Sequence, residues 1–397
     1  MATKKKQKRR RREKRIDKKY PLIILAIFLC IIIALTFILL QFSTTSRIST
    51  TPPIYEEARP ISSELYDEIG RIDNAIYDSL YEGDIPEKNI FFMAVNPKKE
   101  GEDHWEFTDI LVELSDKNSL VKLGKIFEIE LAPLESVAIY NKERISNREI
   151  AYHIFTLGYY THKIRLIFED RQKKRLKHTL RIAIIIDDLG YDLDIAKSFI
   201  ELDLPLSFSI LPMAPYTKVI VDEVNEKGRE IILHLPMEPK NYPSLNPGPG
   251  ALLMHMDKTD IRRMLSSHLE QIPGVQGINN HMGSCFTESR EKMAIILNEL
   301  KKQNLFFIDS VTTTHSVGFK LAKKIGVRAA RRNVFLDNEL SPKGIKFQVE
   351  RLLGIARHSG AAIGIGHPHK RTLKILKMYL PKIKAEFEIV PVSDLVS

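Results

Sequence analysis

Residues 181–189 read RIAIIIDDL, an apolar and mostly β-branched run from Ile182 to Ile186 closed by two adjacent acids, Asp187 and Asp188, and followed by Gly190. A run so short and so apolar suits a strand covered on both faces, and the acids mark where the covering stops. The pattern recurs down the chain. Similar runs stand at Leu204–Leu211, Glu230–Leu235, Val275–Asn279, Leu305–Ile308, Val327–Ala330, Ala361–Ile365 and Glu388–Val392. Helical periodicity fills the gaps, at Asp192–Leu202, Thr217–Lys227, Thr259–Gln271, Glu288–Gln303, Val317–Ile325, Pro342–His358 and Arg371–Leu380. Strands alternating with helices and never joined by a two-residue hairpin predict a parallel α/β sheet. With so many strands between residue 180 and residue 397, a (β/α) barrel of seven or eight strands is favoured over an open doubly wound sheet. The first turn reads DDLGYD where a dinucleotide fold needs G-x-G-x-x-G, which argues against a nucleotide cofactor.

Parallel strands point their carboxyl ends at one rim, so the ionisable groups that end each run should meet there. Asp187 and Asp188 end the first; His234 and then Glu238 end the third; His281 follows the fourth in GINNHMGSCFT; Asp309 ends the fifth; His367, with His369 beyond it, ends AAIGIGHPH. Each has a plainer reading. Adjacent acids can cap a helix, a histidine inside an apolar strand can be a hydrogen-bonded core residue, and Asp309 can anchor its loop through backbone N–H groups. His369 beside Lys370 and Arg371 reads as solvent-facing, and Cys285 as a small buried side chain. As a set, one carboxylate and two imidazoles with an open position compose a zinc-type catalytic site. A second carboxylate to take a proton from water and a histidine to protonate a leaving group complete the parts for amide or ester hydrolysis. The loop between Leu235 and Met256 holds Pro236, Pro239, Pro243, Pro247 and Pro249 with Gly248 and Gly250, a stiff segment expected to line one side of a cleft.

Upstream, QKKRLKH at 172–178 is a basic connector, and residues 61–170 form a smaller α+β unit. It opens on an amphipathic helix with Leu65, Ile69, Ile72, Ile76 and Leu80 on one face, and continues in apolar runs at Asn89–Val95, Trp105–Leu114, Ser136–Tyr140 and Ala151–Phe168. Its histidines, His104, His153 and His162, lack partners at metal spacing. Residues 43–60 read as a linker. Residues 21–42, PLIILAIFLCIIIALTFILLQF, carry no charge, and the apolar stretch from Leu22 to Leu40 would make a helix roughly 28 Å long, enough to span a hydrocarbon core. The exit lacks a small-x-small cleavage site, which predicts a retained signal anchor. Residues 1–20 hold twelve Lys and Arg against Glu13 and Asp17, which accounts for the whole of the +10 net charge; the rest is neutral. The positive-inside rule then keeps the basic tail in the cytoplasm, against anionic lipid, and exports everything after Phe42. A neutral exported body argues for an envelope glycan as partner and against nucleic acid. With Cys30 and Cys285 the only cysteines, neither a disulfide framework nor a thiolate zinc site is available.

The motifs IAIIIDDLG, LSFSILP, EIILHLPMEP, NNHMGS, FIDS, FLDN and IGIGHP, in this order from Arg181 to Val396, resemble the divergent polysaccharide deacetylase family, a branch of the deacetylases built on the nodulation-deacetylase homology domain. The resemblance implies a metal-dependent hydrolase of acetylated polysaccharide, with the base on Asp187, a metal ligand on Asp188 and the general acid on His367. The ordinary family's His-x-x-x-His falls here on His234 and Glu238, so one histidine ligand is absent, and His281 is the candidate to replace it. Metal ligands Asp188, His234 and His281, most simply for zinc, with Glu238 and Asp309 as accessory candidates, are therefore expected on a periplasmic domain held at the inner membrane by one helix. The departure keeps a second reading open, a degenerate barrel that binds glycan or scaffolds envelope proteins without cutting.

Overall fold

In a computed structural model, the residues described are 63–101, 103–134, 139–146, 148–168 and 179–397. The basic tail, the apolar segment 21–42 and the linker expected at 43–60 lie outside them. Among the described residues no helix is long and apolar enough to cross a membrane.

Strand β6, Arg181–Leu189, is buried on both faces, as its composition requires. It sits inside an all-parallel sheet with β7 (Ser207–Ile210), β8 (Glu230–Met237), β9 (Val275–Met282), β10 (Phe306–Asp309), β11 (Ala329–Arg331), β12 (Val334–Phe335) and β13 (Ala361–Gly366), in the order β11-β10-β9-β8-β7-β6-β13-β12. A last strand, β14 at Glu388–Ile389, pairs with Arg181 and Ile182 of β6, ahead of the point where β7 begins its own pairing. Helices Leu193–Ile200, Thr217–Glu226, Lys258–Gln271, Arg290–Lys302, Gly318–Ile325, Pro342–Ser359 and Lys370–Glu386 occupy the connections, within a few residues of their expected bounds.

The expected barrel is not fully laddered. β11 and β12 stand at the two ends of the strand order and do not pair with each other. They are consecutive in the chain, separated only by Arg332 and Asn333, and parallel strands cannot be joined so tightly. One kinked segment therefore fills the seam: its first half pairs with β10 and its second with β13. Asn333 stitches the kink to β13 by donating its N–H to the Ile363 carbonyl and accepting the Ile363 N–H on Oδ1.

Two apolar layers result from the period-two alternation of strands. Ala183, Ile185, Ile232, Phe306, Ile308, Phe335, Ile363 and Ile365 form one cluster inside the curl, closed below by Val392. Ile182, Ile184, Ile186, Leu233 and Ile278 belong to the other, shared with the surrounding helices. Gly277 of β9 is inward-facing and has to be small: a Cβ there would meet the Phe306 ring at 2.2 Å.

The upstream segment folds as helix α1 (Ser63–Glu82) and a five-stranded mixed sheet, β1 (Ile90–Glu100), β2 (Asp103–Leu114), β3 (Ile139–Ser146), β4 (Glu149–Thr156) and β5 (Tyr159–Phe168), ordered β1-β2-β5-β4-β3. The run expected at Ala151–Phe168 divides into β4 and β5 at Leu157–Gly158, where φ is +51° and +87°. Positive φ at both central positions is the turn that matches strand twist, and it is normally announced by Asn-Gly or Asp-Gly. Helix α2, Lys117–Leu131, is additional to the expected elements; Asp116 caps it by accepting the Ser119 N–H at 2.9 Å, and Leu120, Leu123, Phe127 and Leu131 are its buried face. Helix α3, Pro342–Ser359, serves both sheets, packing Phe347 edge-on against Phe92 of β1 at 6.0 Å while lying on β13. A single apolar cluster consequently runs from Ile72 to Phe387.

Gly277→Ala should destabilise the fold by about 1–3 kcal/mol through overpacking against Phe306, read as a lower denaturation midpoint with an unchanged m-value.

Candidate metal centre

The last inward-facing residue of each strand cannot be apolar filling, because there the barrel interior meets the rim. Counting by twos from the inner cluster, β6 continues from Ile185 to Asp187, β8 from Ile232 to His234, β9 from Gly277 to Asn279 and His281, and β13 from Ile365 to His367. Asp188 has the wrong parity and arrives by a backbone departure: its φ is +56°, and the β6–β7 register shifts between Ile186 and Leu189. Asp tolerates this left-handed region better than most residues. Met282, after His281, and Val311, after Asp309, also adopt positive φ, at +52° and +53°. For the β-branched Val311 this is strained, and Asp309 holds it by accepting the Val311 N–H on Oδ1 at 3.0 Å.

Asp188 Oδ1 lies 2.7 Å from His234 Nε2 and 2.9 Å from His281 Nδ1, and the two nitrogens are 3.2 Å apart. All three side chains are almost wholly buried. Asn279 orients the group. Its Nδ2 donates to both oxygens of Asp187, at 2.9 Å each, which leaves Oδ1 to accept from His234 Nδ1 at 2.8 Å and from Ser209 Oγ at 2.7 Å. His234 therefore carries a proton on Nδ1 and turns Nε2 toward Asp188, where it holds a second proton or, once deprotonated, can ligate a cation.

A metal ion fits this donor set. Tetrahedral ligation at roughly 2.0–2.2 Å places donors roughly 3.4 Å apart, a few tenths of an ångström outside the observed triangle. Asp188 Oδ2 is buried with no hydrogen-bond partner, a deficit that a cation held at this carboxylate would relieve. Asp188, His234 and His281 are the residues that can hold it.

Charge is finely divided here. Burial pushes the Asp187 carboxyl above the ordinary range, and nearby His234 and His367 only partly offset that. Burial opposes ionisation of Asp188 as well, but the contacts with His281 and His234 hold it well below the usual carboxylate value. Burial alone would lower His234, yet Asp187 and Asp188 raise it to about 9.

His367 is set by a residue that the sequence analysis did not single out. Asp337, in FLDN, accepts from His367 Nδ1 at 2.8 Å, from the His367 backbone N–H at 2.8 Å and from Thr372 Oγ1 at 2.6 Å. Burial would depress the imidazole; Asp337 overrides it, with help from Asp188 and Asp187, and brings the pKa up to about 10. His367 also stacks on Phe335, centroids 5.9 Å apart. Ser209, Asn279 and Asp337 fall within LSFSILP, NNHMGS and FLDN, but nothing in those motifs says which neighbour each side chain will hold.

Glu238 and Asp309 stand apart from the cluster and hold loops. Glu238 Oε2 accepts the Met254 N–H at 2.6 Å, tying down the proline-rich segment. Asp309 Oδ2 accepts from Ser316 Oγ at 2.8 Å and from the Phe319 N–H at 2.9 Å, fixing the start of the next helix. His369 is half-buried, 6.3 Å from the His367 ring, rather than solvent-facing.

The model of the divergent polysaccharide deacetylase family matches residues 184–396, and the chain belongs to that family. It is 31% identical over 217 residues to the uncharacterized protein YibQ of Escherichia coli K12, covering 55% of this chain and 67% of that one. It is 32% identical over 215 residues to an uncharacterized protein of Haemophilus influenzae Rd, covering 54% and 76%. A solved structure of similar fold is the uncharacterized protein ATU2773 of Agrobacterium tumefaciens C58, with a TM-score of 0.52 and 26% identity over 55% of this chain and 90% of that one.

Two predictions follow from the supporting residues. If the triangle takes up a divalent cation, Asn279→Ala should weaken its binding about 10–100-fold, the usual cost of losing a ligand's orienting partner, measured by competition with a chromophoric chelator. Because the folded-state pKa of His367 is raised, its proton stabilises the fold fully below roughly pH 6.5, and that contribution disappears as the pH climbs through about 10. Asp337→Asn should flatten this loss, seen as a smaller drop in denaturation midpoint between neutral and alkaline pH than in the parent.

Proposed function

We propose that the chain is a zinc-dependent deacetylase that removes acetyl groups from an N- or O-acetylated cell-envelope glycan. The observation that carries this reading is the convergence of Asp188, His234 and His281 on one point, flanked by a carboxylate and an imidazole with opposite proton tasks. Zinc bound there would polarise the acetyl carbonyl and lower the pKa of a coordinated water. Asp187, kept basic by burial and aimed by Asn279, accepts the proton of the attacking water. Attack forms a bond from the water oxygen to the acetyl carbon and breaks that carbon's bond to the sugar nitrogen or oxygen. His367, protonated at neutral pH, supplies the proton that the departing group needs, and Asp337 compensates the charge while the proton is held.

The location is part of the proposal. The uncharged stretch 21–42 behind a strongly basic tail supports a single membrane anchor with the tail in the cytoplasm, against anionic lipid, and the deacetylase body in the periplasm.

The test is mass-spectrometric metal content and acetate release for the purified full-length chain, beside Asp188→Ala and His281→Ala. Near-stoichiometric zinc in the parent, falling severalfold in both variants together with acetate release from acetylated peptidoglycan or chitin oligomers, is the expected result. A parent that takes up no metal from excess zinc and releases no acetate would overturn the reading and leave a glycan-binding module.

A further inference from the structure

Beside the metal centre the fold encloses a cavity of about 570 Å³ that none of Asp187, Asp188, His234, His281 or His367 lines. That volume lies within the roughly 300–1,000 Å³ range of small-molecule sites. Its floor comes from the barrel rim, through the loops after β8, β9, β10 and β12. Its far wall comes from the upstream unit, through α1 and the β1–β2 ribbon, residues that the family match does not include.

The cavity is joined to the centre by shared side chains. Phe335 lines it and stacks on His367. Arg332 lies over the Phe335 ring, 3.7 Å from its centroid, and donates from Nε to the carbonyl of Ser310, whose hydroxyl oxygen accepts from Asn279 Nδ2 at 3.4 Å. A ligand occupying the cavity is thus one side chain away from the imidazole, and its reacting group would have to lie beyond Phe335.

The lining also indicates what kind of ligand this is. Its charges are largely spent inside the protein: Glu106 is paired to Arg332 at 3.3 Å and to Arg351 at 3.2 Å, Lys240 to Glu288 at 2.7 Å, and Asp73 to His162 at 3.0 Å. Aromatic faces remain, Trp105, Tyr66 and Tyr242 among them, together with hydroxyl and amide groups such as Thr312 and Asn241. Ring faces beside neutral hydrogen-bonding groups suit an uncharged polyhydroxylated ring better than a phosphate or a peptide carboxylate.

We infer that the β1–β2 ribbon of the upstream unit is one wall of an oligosaccharide subsite, in which Trp105 supports a neighbouring sugar of the same glycan chain whose acetylated residue sits at the metal centre. This rests on the deacetylase reading for the identity of the chain, but not for the binding itself. Trp105 is anchored for the role, its Nε1–H donated to the Tyr160 carbonyl at 3.0 Å and its ring against Tyr159 at 4.8 Å.

Trp105 is the only tryptophan in the chain, so the full-length protein reports on its own cavity. Titration with β-1,4-linked N-acetylglucosamine oligomers, monomer to hexamer, should give a saturable change in tryptophan fluorescence that tightens with oligomer length. By calorimetry, Trp105→Ala should bind the hexamer at least about tenfold more weakly, Trp105→Phe should recover most of the loss, and Tyr242→Ala on the barrel-rim floor should also weaken binding. Hexamer affinity equal to the parent's in a folded Trp105→Ala, or no oligomer binding by the parent, would overturn the inference. Absence of acetate release alongside Trp105-dependent oligomer binding would instead overturn the deacetylase reading and leave the subsite standing.

Discussion

The barrel interior can be filled with hydrocarbon only as far as its rim, and the site depends on that limit. Each strand alternates, and its inward positions are apolar until the carboxyl end is reached, where the next inward residue has no packed layer above it. Asp187, Ser209, His234, Asn279, Ser310 and His367 are the polar residues that occupy this last layer. Being side by side and nearly dry, they must satisfy one another, and Asn279 does most of that: one amide holds a carboxylate, an imidazole and two hydroxyls in register. Removing water from this layer is what gives small rearrangements of charge large effects.

The same dryness sets a competition between protons and a cation. Three carboxylates, Asp187, Asp188 and Asp337, and three histidines, His234, His281 and His367, are all buried here and cannot all take their solution charge states. With protons alone, His234 and His367 stay cationic opposite Asp188 and Asp337. A divalent ion at the Asp188, His234 and His281 triangle would replace the proton on the ligand imidazole, so affinity for metal should be tied to pH. His367 is a separate case, because its counter-charge, Asp337, is not a ligand and remains with it.

Much of this was readable from the chain. The β6 run, the seven helices and the strand-end polar residues all appear as spacing in the sequence, and the motifs from IAIIIDDLG to IGIGHP contain Asp187, Asp188, His234, His281 and His367. What escaped has physical causes. A hairpin at Leu157–Gly158 lacks the usual turn dipeptide because Gly158 alone gives relief and Leu157 bears the positive φ. The seam at Arg332–Asn333 is tertiary in origin, since nothing local says that one segment must serve two neighbours. Asp337 and Asn279 act through a partner instead of at the reaction centre, and such residues look ordinary until the partner's position is known. Glu238, sitting where a ligand histidine would stand in the ordinary family, is read correctly only when Met254 is seen to bind it.

The helix Pro342–Ser359 has a further consequence, for where the chain can be cut. Gly354 is pressed against Phe92 so closely that a Cβ would come within 2.5 Å of its ring, and Arg351 reaches from the same helix to Thr108 on β2. The boundary drawn by sequence similarity, near residue 184, thus passes through a continuous interior. Excising the matched portion would strip one face of that helix and expose Phe347 and its neighbours to water. The two parts share one apolar cluster, so a fragment that keeps this interior has to begin upstream of α1.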